Sequence, residues 1–419
     1  MNPQLARLET PARVSTQGRV SDGLAIYVTV LAVIVASVAY LDLANFYYTI
    51  TDGALLPKYL YFALGAAIAP LFVVRNKVLW TYLKTPFVFW TASMVVLNLV
   101  HWLFHLMDGN ADAAGLVMTR IQFLVLAALI GFLLFQTKTV LLGWVFVTLA
   151  LVLTALQLID FVLPGTIVPY GTEGVVPGRA GSTLINANKA AESLVLLAVL
   201  GMAVLRPAWR IWLLLIVLPG VFLTFSRSGL LAWSIAVVAG FGLGVFPRSA
   251  YSLFLLFIPL AVSTAAGMLG LILSFVDIGA LDNVYDRVMF FLTLEASDYS
   301  TQARLSVADL AVNSFLSQPL FGNGAGYTHF WGAIVQAPHN QHLMMLAEYG
   351  LVGYGLFIGL IMLLFRGGGY FRCLQAQPMT MVAFAVFLWF SSFTHNMFDN
   401  LSWLVSFALI GQRAMYTQK

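Results

Sequence analysis

Apolar residues run along this chain in long blocks separated by short polar links. An α-helix needs about 20 apolar residues to cross ~30 Å of hydrocarbon, and the blocks are of that order. They predict membrane spans near 24–41, 59–74, 86–107, 114–135, 140–163, 187–205, 211–226, 229–246, 250–276, 343–365, 379–396 and 401–413. The expected fold is all-α, a polytopic membrane protein with about twelve transmembrane helices. The first block is too long for a signal peptide and lacks a small-residue cleavage site, so it is expected to stay as a span.

Two connections are long enough to hold more than a turn: 164–186 and 277–342. Within the second, 282–294 and 302–317 show helical periodicity with one apolar face (Val284, Val288 and Phe291; Leu305, Leu310 and Phe315), as expected of helices lying on a membrane surface. Pro319, Gly322, Gly324 and Gly326 then break the chain, and the next helix is expected from Pro338. The expected organisation is a cytoplasmic tail at 1–22, nine spans over 23–276 including loop 164–186, a large loop at 277–342, and three spans with a second cytoplasmic tail at 343–419.

Composition agrees. Of the 419 residues, 61% are apolar and 9% charged, where a soluble domain carries roughly a quarter charged. Basic residues set the orientation. With the N-terminus inside, 14 of the 21 basic residues fall in cytoplasmic segments, accompanied there only by Glu9 and Asp22. Both termini are therefore expected in the cytoplasm, and the long loops outside. The net charge of +4 follows from this asymmetry and gives no reason to expect a nucleic-acid partner. The one cysteine, Cys373, excludes an intrachain disulfide.

All six histidines and both long loops fall on the outer half, so any chemistry is expected there. Seven basic residues oppose the orientation rule: Lys58, Arg120, Arg179, Lys189, Arg227, Arg287 and Arg304. Ion pairing with outer acids accounts for any one of them equally well. As a group they point to an anion site, because even-numbered spans present helix N-termini outward, with open N–H groups and positive dipole ends. Lys189 follows Asn186 and Asn188 at the start of the sixth span, and Arg227 opens the eighth between Ser226 and Ser228. His339 and Asn340 open the tenth. Arg120 lies inside the fourth span, where a charge faces a cavity or partner or else snorkels to the interface.

His339 is the sharpest candidate base, since an imidazole with an ordinary pKa of ~6.5 is mostly neutral at pH 7; a capping or structural role is the plain alternative. His342 lies one turn on, but the pair lacks the i, i+4 spacing and adjacent glutamate of a zinc site. The glycine run lacks the Lys-Ser/Thr of a phosphate loop, and no Asp-x-Asp pair exists to hold a divalent ion.

The segment Ala337-Pro-His-Asn-Gln-His-Leu-Met-Met-Leu-Ala-Glu-Tyr-Gly-Leu-Val-Gly353 resembles the signature of the bacterial O-antigen ligase and polymerase superfamily. Arg304 through Pro319-Leu-Phe-Gly-Asn-Gly324 resembles the stretch leading into it. Leu223-Thr-Phe-Ser-Arg-Ser-Gly-Leu230 is similar to the family's Ser-Arg motif, and Gly181 to Ala191 to its Asn-rich segment. The resemblance implies a GT-C-like membrane glycosyltransferase in the bacterial inner membrane, working at the periplasmic face without a metal or other cofactor. Its donor would be a glycan on undecaprenyl pyrophosphate; a ligase would move it onto lipid A–core oligosaccharide. His339 matches the family's essential histidine, and Arg227 and Arg304 its arginines. Arg179, Lys189, Arg287 and Arg120 join the donor set by position and charge, with Asn340, His342 and Asn188 in support.

Other readings stay open. O-antigen polymerases and protein O-oligosaccharyltransferases share these motifs, and the spacing of Arg120 and Gly131 is one sometimes linked to polymerases. A lipid-linked glycan flippase would have as many spans, but should also show midplane charges and repeat symmetry.

The topology is directly testable. A fusion after Ser297 should be active as alkaline phosphatase and dark as a cytoplasm-dependent fluorophore. The reverse would move every candidate residue to the other side of the membrane.

Overall fold

A computed structural model of the protein describes residues 22–169, 171–176, 178–252, 299–330, 338–394 and 397–416. Among these residues the secondary structure is helical, without strands. The helices are α1 (Asp22–Tyr40), α2 (Leu43–Ile50), α3 (Pro57–Ile68), α4 (Pro70–Val74), α5 (Asn76–Leu83), α6 (Pro86–Met107), α7 (Ala111–Phe135) and α8 (Thr139–Val162). They continue with α9 (Ala187–Met202), α10 (Pro207–Leu223), α11 (Arg227–Gly242), α12 (Tyr299–Ser317) and α13 (Gln341–Arg366). The last are α14 (Gly369–Cys373), α15 (Pro378–Phe393) and α16 (Leu401–Ile410). The ninth expected span lies almost wholly outside the described residues, as do the expected helix at 282–294 and Arg287. The expected helix over 302–317 is present within α12.

Among the described residues, six helical stretches are long and apolar enough to cross a membrane: Gly23–Tyr40, Pro57–Val74, Pro86–Met107, Ala111–Phe135, Thr139–Val162 and Gln341–Cys373. The chain is a multi-pass membrane protein. Five other expected spans are shorter helices, and two of them owe their apolarity to protein rather than lipid. All ten residues of α16 are buried, and at ~1.5 Å per residue it would cover only about half the hydrocarbon core. In α9, everything from Ala190 to Met202 is buried. These are internal helices, packed against α7 and against α8, α10 and α11 respectively. An apolar composition all round cannot distinguish a helix buried in lipid from one buried in protein.

The feature that positions the candidate site is a break in α13. Gly350 has φ +61° and ψ −157°, so the helix divides into Gln341–Tyr349 and a longer continuation. The break frees carbonyls from the first half and amides from the second, and in a membrane protein these must be satisfied internally. The glycine-rich loop does this with its own backbone. Asn323 and Gly324 donate N–H to the carbonyls of Ala347 and Glu348, both at 3.0 Å. The carbonyls of Pro319 and Leu320 accept from Leu351 and Val352, at 2.8 and 3.1 Å. One loop caps both ends of the break. The chain break expected at Pro319–Gly326 is therefore a docking segment, and the helix after it starts at Gln341 rather than at Pro338.

Glycine is required at the contact. A Cβ on Gly350 would sit 2.5 Å from the carbonyl of Leu320, at a φ that side chains rarely adopt. Gly350→Ala should lower stability by about 2 kcal/mol or more. Gly355→Ala, further along the same helix with open space around its Cβ, should not. Thermal unfolding in detergent measures both, and equal melting of the two variants would show that the loop does not hold the break.

Candidate functional site

Four helix N-termini, each capped by a side chain, lie at one end of the bundle. Asn186 Oδ1 accepts from the amides of Asn188 and Lys189 at the start of α9, at 2.9 and 3.4 Å. Ser226 Oγ accepts from Gly229 in α11 at 3.3 Å. Asn340 Oδ1 accepts from His342 and Leu343 in α13, at 2.9 and 3.1 Å. Asn400 Oδ1 accepts from Ser402 in α16 at 3.0 Å. Such caps hold part of the first turn and leave the dipole's positive end in place.

The last turns of α15 tie these ends together. Trp389 Nε1 donates to the Ser228 carbonyl at 3.0 Å, reaching α11. Ser391 Oγ lies 3.1 Å from His342 Nε2, reaching α13. Just past the helix, Thr394 Oγ1 donates to Glu192 Oε1 on α9. Trp403, in the first turn of α16, donates to the other oxygen of Glu192 at 3.0 Å. The helices that open beside Lys189, Arg227 and His339 are thus each joined to the last turns of α15 or the residue just past it.

Arg179 fastens two of these ends. Its Nε donates to the Thr224 carbonyl at 2.7 Å and its Nη2 to Asn188 Oδ1 at 2.8 Å. Ala180 adds a backbone bond to Leu223 at 3.0 Å. The entries to α9 and α11 both carry backbone strain: Ile185 has φ +62° and Phe225 φ +47°. Strained non-glycine residues persist only where their surroundings fix them. Here Arg179, a fork with several donors, does part of that fixing. Gly229 is needed at the same contact, because a Cβ there would run into Ala191 of α9.

His339 precedes the Asn340 cap, and the half-buried Arg304 of α12 reaches it electrostatically. Burial first, and the Arg304 guanidinium second, pull the His339 pKa down to about 4. At neutral pH the ring is therefore uncharged. His342 bonds Tyr354 Oη at 3.2 Å within α13 and Ser391 of α15 through its other nitrogen, so both its nitrogens serve packing. Lys189 acts electrostatically on Asp42 and Glu192. Among the described residues, no group of three or more His, Cys, Asp and Glu side chains is gathered as a metal would require.

Arg120 does not belong with these arginines. It is 1% exposed, its Nη1 is paired with Glu348 Oε2, and its Nε with Asp399 Oδ1 at 3.0 Å. Neither the donor role nor snorkelling fits a guanidinium so enclosed. The same network includes Tyr349 and Asn98, whose side chains bond at 2.8 Å, and Thr328, which donates backbone and hydroxyl hydrogens to Glu348 Oε1. His101 accepts from the Ala325 amide at 2.8 Å, and His105 lies 2.9 Å from the Ala325 carbonyl. Gly131, whose Cβ would meet Tyr82, Ala408 and Phe87, is a packing glycine. The Arg120–Gly131 spacing therefore has a structural account. The sequence signal for Glu348 was present: a carboxylate inside an apolar helix calls for a partner.

Residues 212–358 match the family model described as O-antigen ligase. The match supports the O-antigen ligase and polymerase superfamily for this chain. The matched segment holds Arg227, Arg304, His339 and Glu348, and leaves Arg120, Arg179, Lys189 and Asp399 outside it. A comparison with curated proteins finds no match.

The depressed His339 pKa has a kinetic consequence. The pH dependence of kcat/KM reports the free enzyme, so if His339 must be neutral, kcat/KM should stay level as pH falls through ~6.5, dropping only towards about 4. An anion bound beside Arg304 offsets the charge that opposes protonation, so the inflection in kcat should lie at higher pH. An inflection of kcat/KM near ~6.5 would put His339 in solvent-like surroundings instead.

Proposed function

We propose that this protein is an O-antigen ligase, transferring a glycan from undecaprenyl pyrophosphate to a sugar hydroxyl of lipid A–core at the periplasmic face of the inner membrane. The observation that carries the reading is the meeting of the Lys189, Arg227 and His339 helix ends around one terminus of α15, with Arg304 acting on His339. A pyrophosphate is the ligand such a place suits, since fixed N–H groups, dipole ends and guanidinium forks all answer a group that is doubly charged in the donor and gains a further negative charge as it leaves.

The proposed reaction is a single inverting displacement. The acceptor oxygen attacks the anomeric carbon and gives its proton to His339. The bond between that carbon and the phosphate oxygen breaks, and the electron pair leaves on undecaprenyl pyrophosphate. Arg227 and Arg304, with the N-terminal ends of α9 and α11, hold the pyrophosphate and stabilise its departure. A base held at a pKa of about 4 is weak, but the bound pyrophosphate draws that value upward, towards the range where base catalysis is worth ~10²–10⁴ in rate. Arg179 holds the entries to α9 and α11 together through its Nε and Nη2, which donate to Thr224 and Asn188. No metal takes part in the proposed step.

Purified protein given lipid-linked donor and lipid A–core should form the glycolipid product in excess EDTA. His339→Ala should lower single-turnover transfer by about the general-base factor while donor binding survives. Arg227→Ala and Arg304→Ala should weaken donor binding too, because the pyrophosphate is charged before reaction. Arg227→Lys should recover only part of the loss. Polymer growing on undecaprenyl pyrophosphate would make the protein a polymerase. Activity lost in EDTA and restored by magnesium would refute metal independence. Wild-type transfer by His339→Ala would remove the base assignment.

A further inference from the structure

The half-helix Gln341–Tyr349 carries His339 and Asn340 at its leading edge, yet it does not take its direction from the rest of α13. Gly350 interrupts the helix, so the orientation of the first half is set by what grips its far end. That grip is the docked loop together with the carboxylate of Glu348, which is wholly buried. Glu348 meets the Arg120 guanidinium from α7 on one oxygen and the backbone and hydroxyl of Thr328 on the other. Tyr349 beside it bonds Asn98 of α6, and Asp399 holds Arg120 from behind. Glu348 lies at the opposite end of this half-helix from His339.

We infer that Glu348, held by Arg120 and Thr328, is a positioning residue that aims the His339-bearing half-helix at the reacting centre. The inference rests on the transfer reaction proposed above. A buried ion pair is a poor source of stability, because desolvation consumes most of the Coulombic gain. It is a good source of orientation, because a charge-assisted bond to a rigid fork tolerates little displacement. A shift of ~1 Å in a catalytic group can cost ~10²-fold in rate.

The test compares Glu348→Gln, Arg120→Gln/Glu348→Gln and Thr328→Val with wild type. Glu348→Gln leaves the guanidinium paired with Asp399 alone; the double variant removes both buried charges and leaves only the partly exposed Asp399 without its partner, and Thr328→Val is the mildest change. Three quantities are read on folded protein in detergent: donor affinity, single-turnover transfer at saturating donor, and hydrogen exchange of the amides in 341–349. The expected result is unchanged donor affinity with transfer slowed by ~10²-fold in the double variant, several-fold in Thr328→Val, and faster exchange across 341–349. The double variant should be no slower than Glu348→Gln, since both remove one coupled interaction. Wild-type transfer by any folded double or Thr328→Val variant overturns the inference, as does loss of donor binding in parallel with rate. If wild-type protein transfers no glycan, the proposed function fails; unchanged exchange across 341–349 in the variants then overturns the positioning role separately.

Discussion

The arrangement of this protein depends on how the break in α13 is closed. A helix interrupted inside a membrane protein exposes carbonyls and amides that no solvent can satisfy. The chain answers with a loop whose backbone bonds both sides of the break and with a carboxylate, Glu348, that must itself be neutralised. Arg120 supplies the charge from α7, Asp399 supports it from the turn before α16, and Thr328 and Tyr349 add further hydrogen bonds. Each element in the list fixes another, which is why four separate stretches of chain converge there. Removing Arg120 would leave the Glu348 carboxylate buried without its guanidinium, the costliest defect such a network can suffer.

The other consequence of the break lies at the far end of the short half-helix. With its own terminus free to be placed, His339 can stand beside Arg304 and near the ends of α9 and α11 rather than in line with a continuous span. Those neighbouring ends are held by different means: side-chain caps, the Arg179 bridge and two strained entry residues. Positive dipole ends repel one another, so gathering them needs such fixing. A doubly charged anion between them would relieve that repulsion, which is the part the proposed pyrophosphate plays.

Much of this was legible in the sequence. Block hydrophobicity determined the all-helical, multi-pass class, because crossing hydrocarbon demands long apolar helices. Asn186, Ser226 and Asn340 stand immediately before helix starts, although the third helix was expected from Pro338, and the motifs around Arg227, Arg304 and His339 lie in the segment that the family model matches. What composition could not reveal was which apolar helices face lipid. The burial of α9 and α16 inside the bundle decided that, since lipid and protein core demand the same residues.

Partner choice was likewise beyond the sequence. An arginine within a span must be compensated, and the sequence says so, but Arg120 joins Glu348 and Asp399 across more than two hundred residues of chain. The same holds for the glycine run: periodicity shows that helix stops there, while only the folded chain shows its backbone closing another helix's gap. Local chemistry fixes what each segment can form on its own. Long-range pairing of charges and backbone groups depends on which segments the packing brings together, and that was decided by the tertiary structure alone.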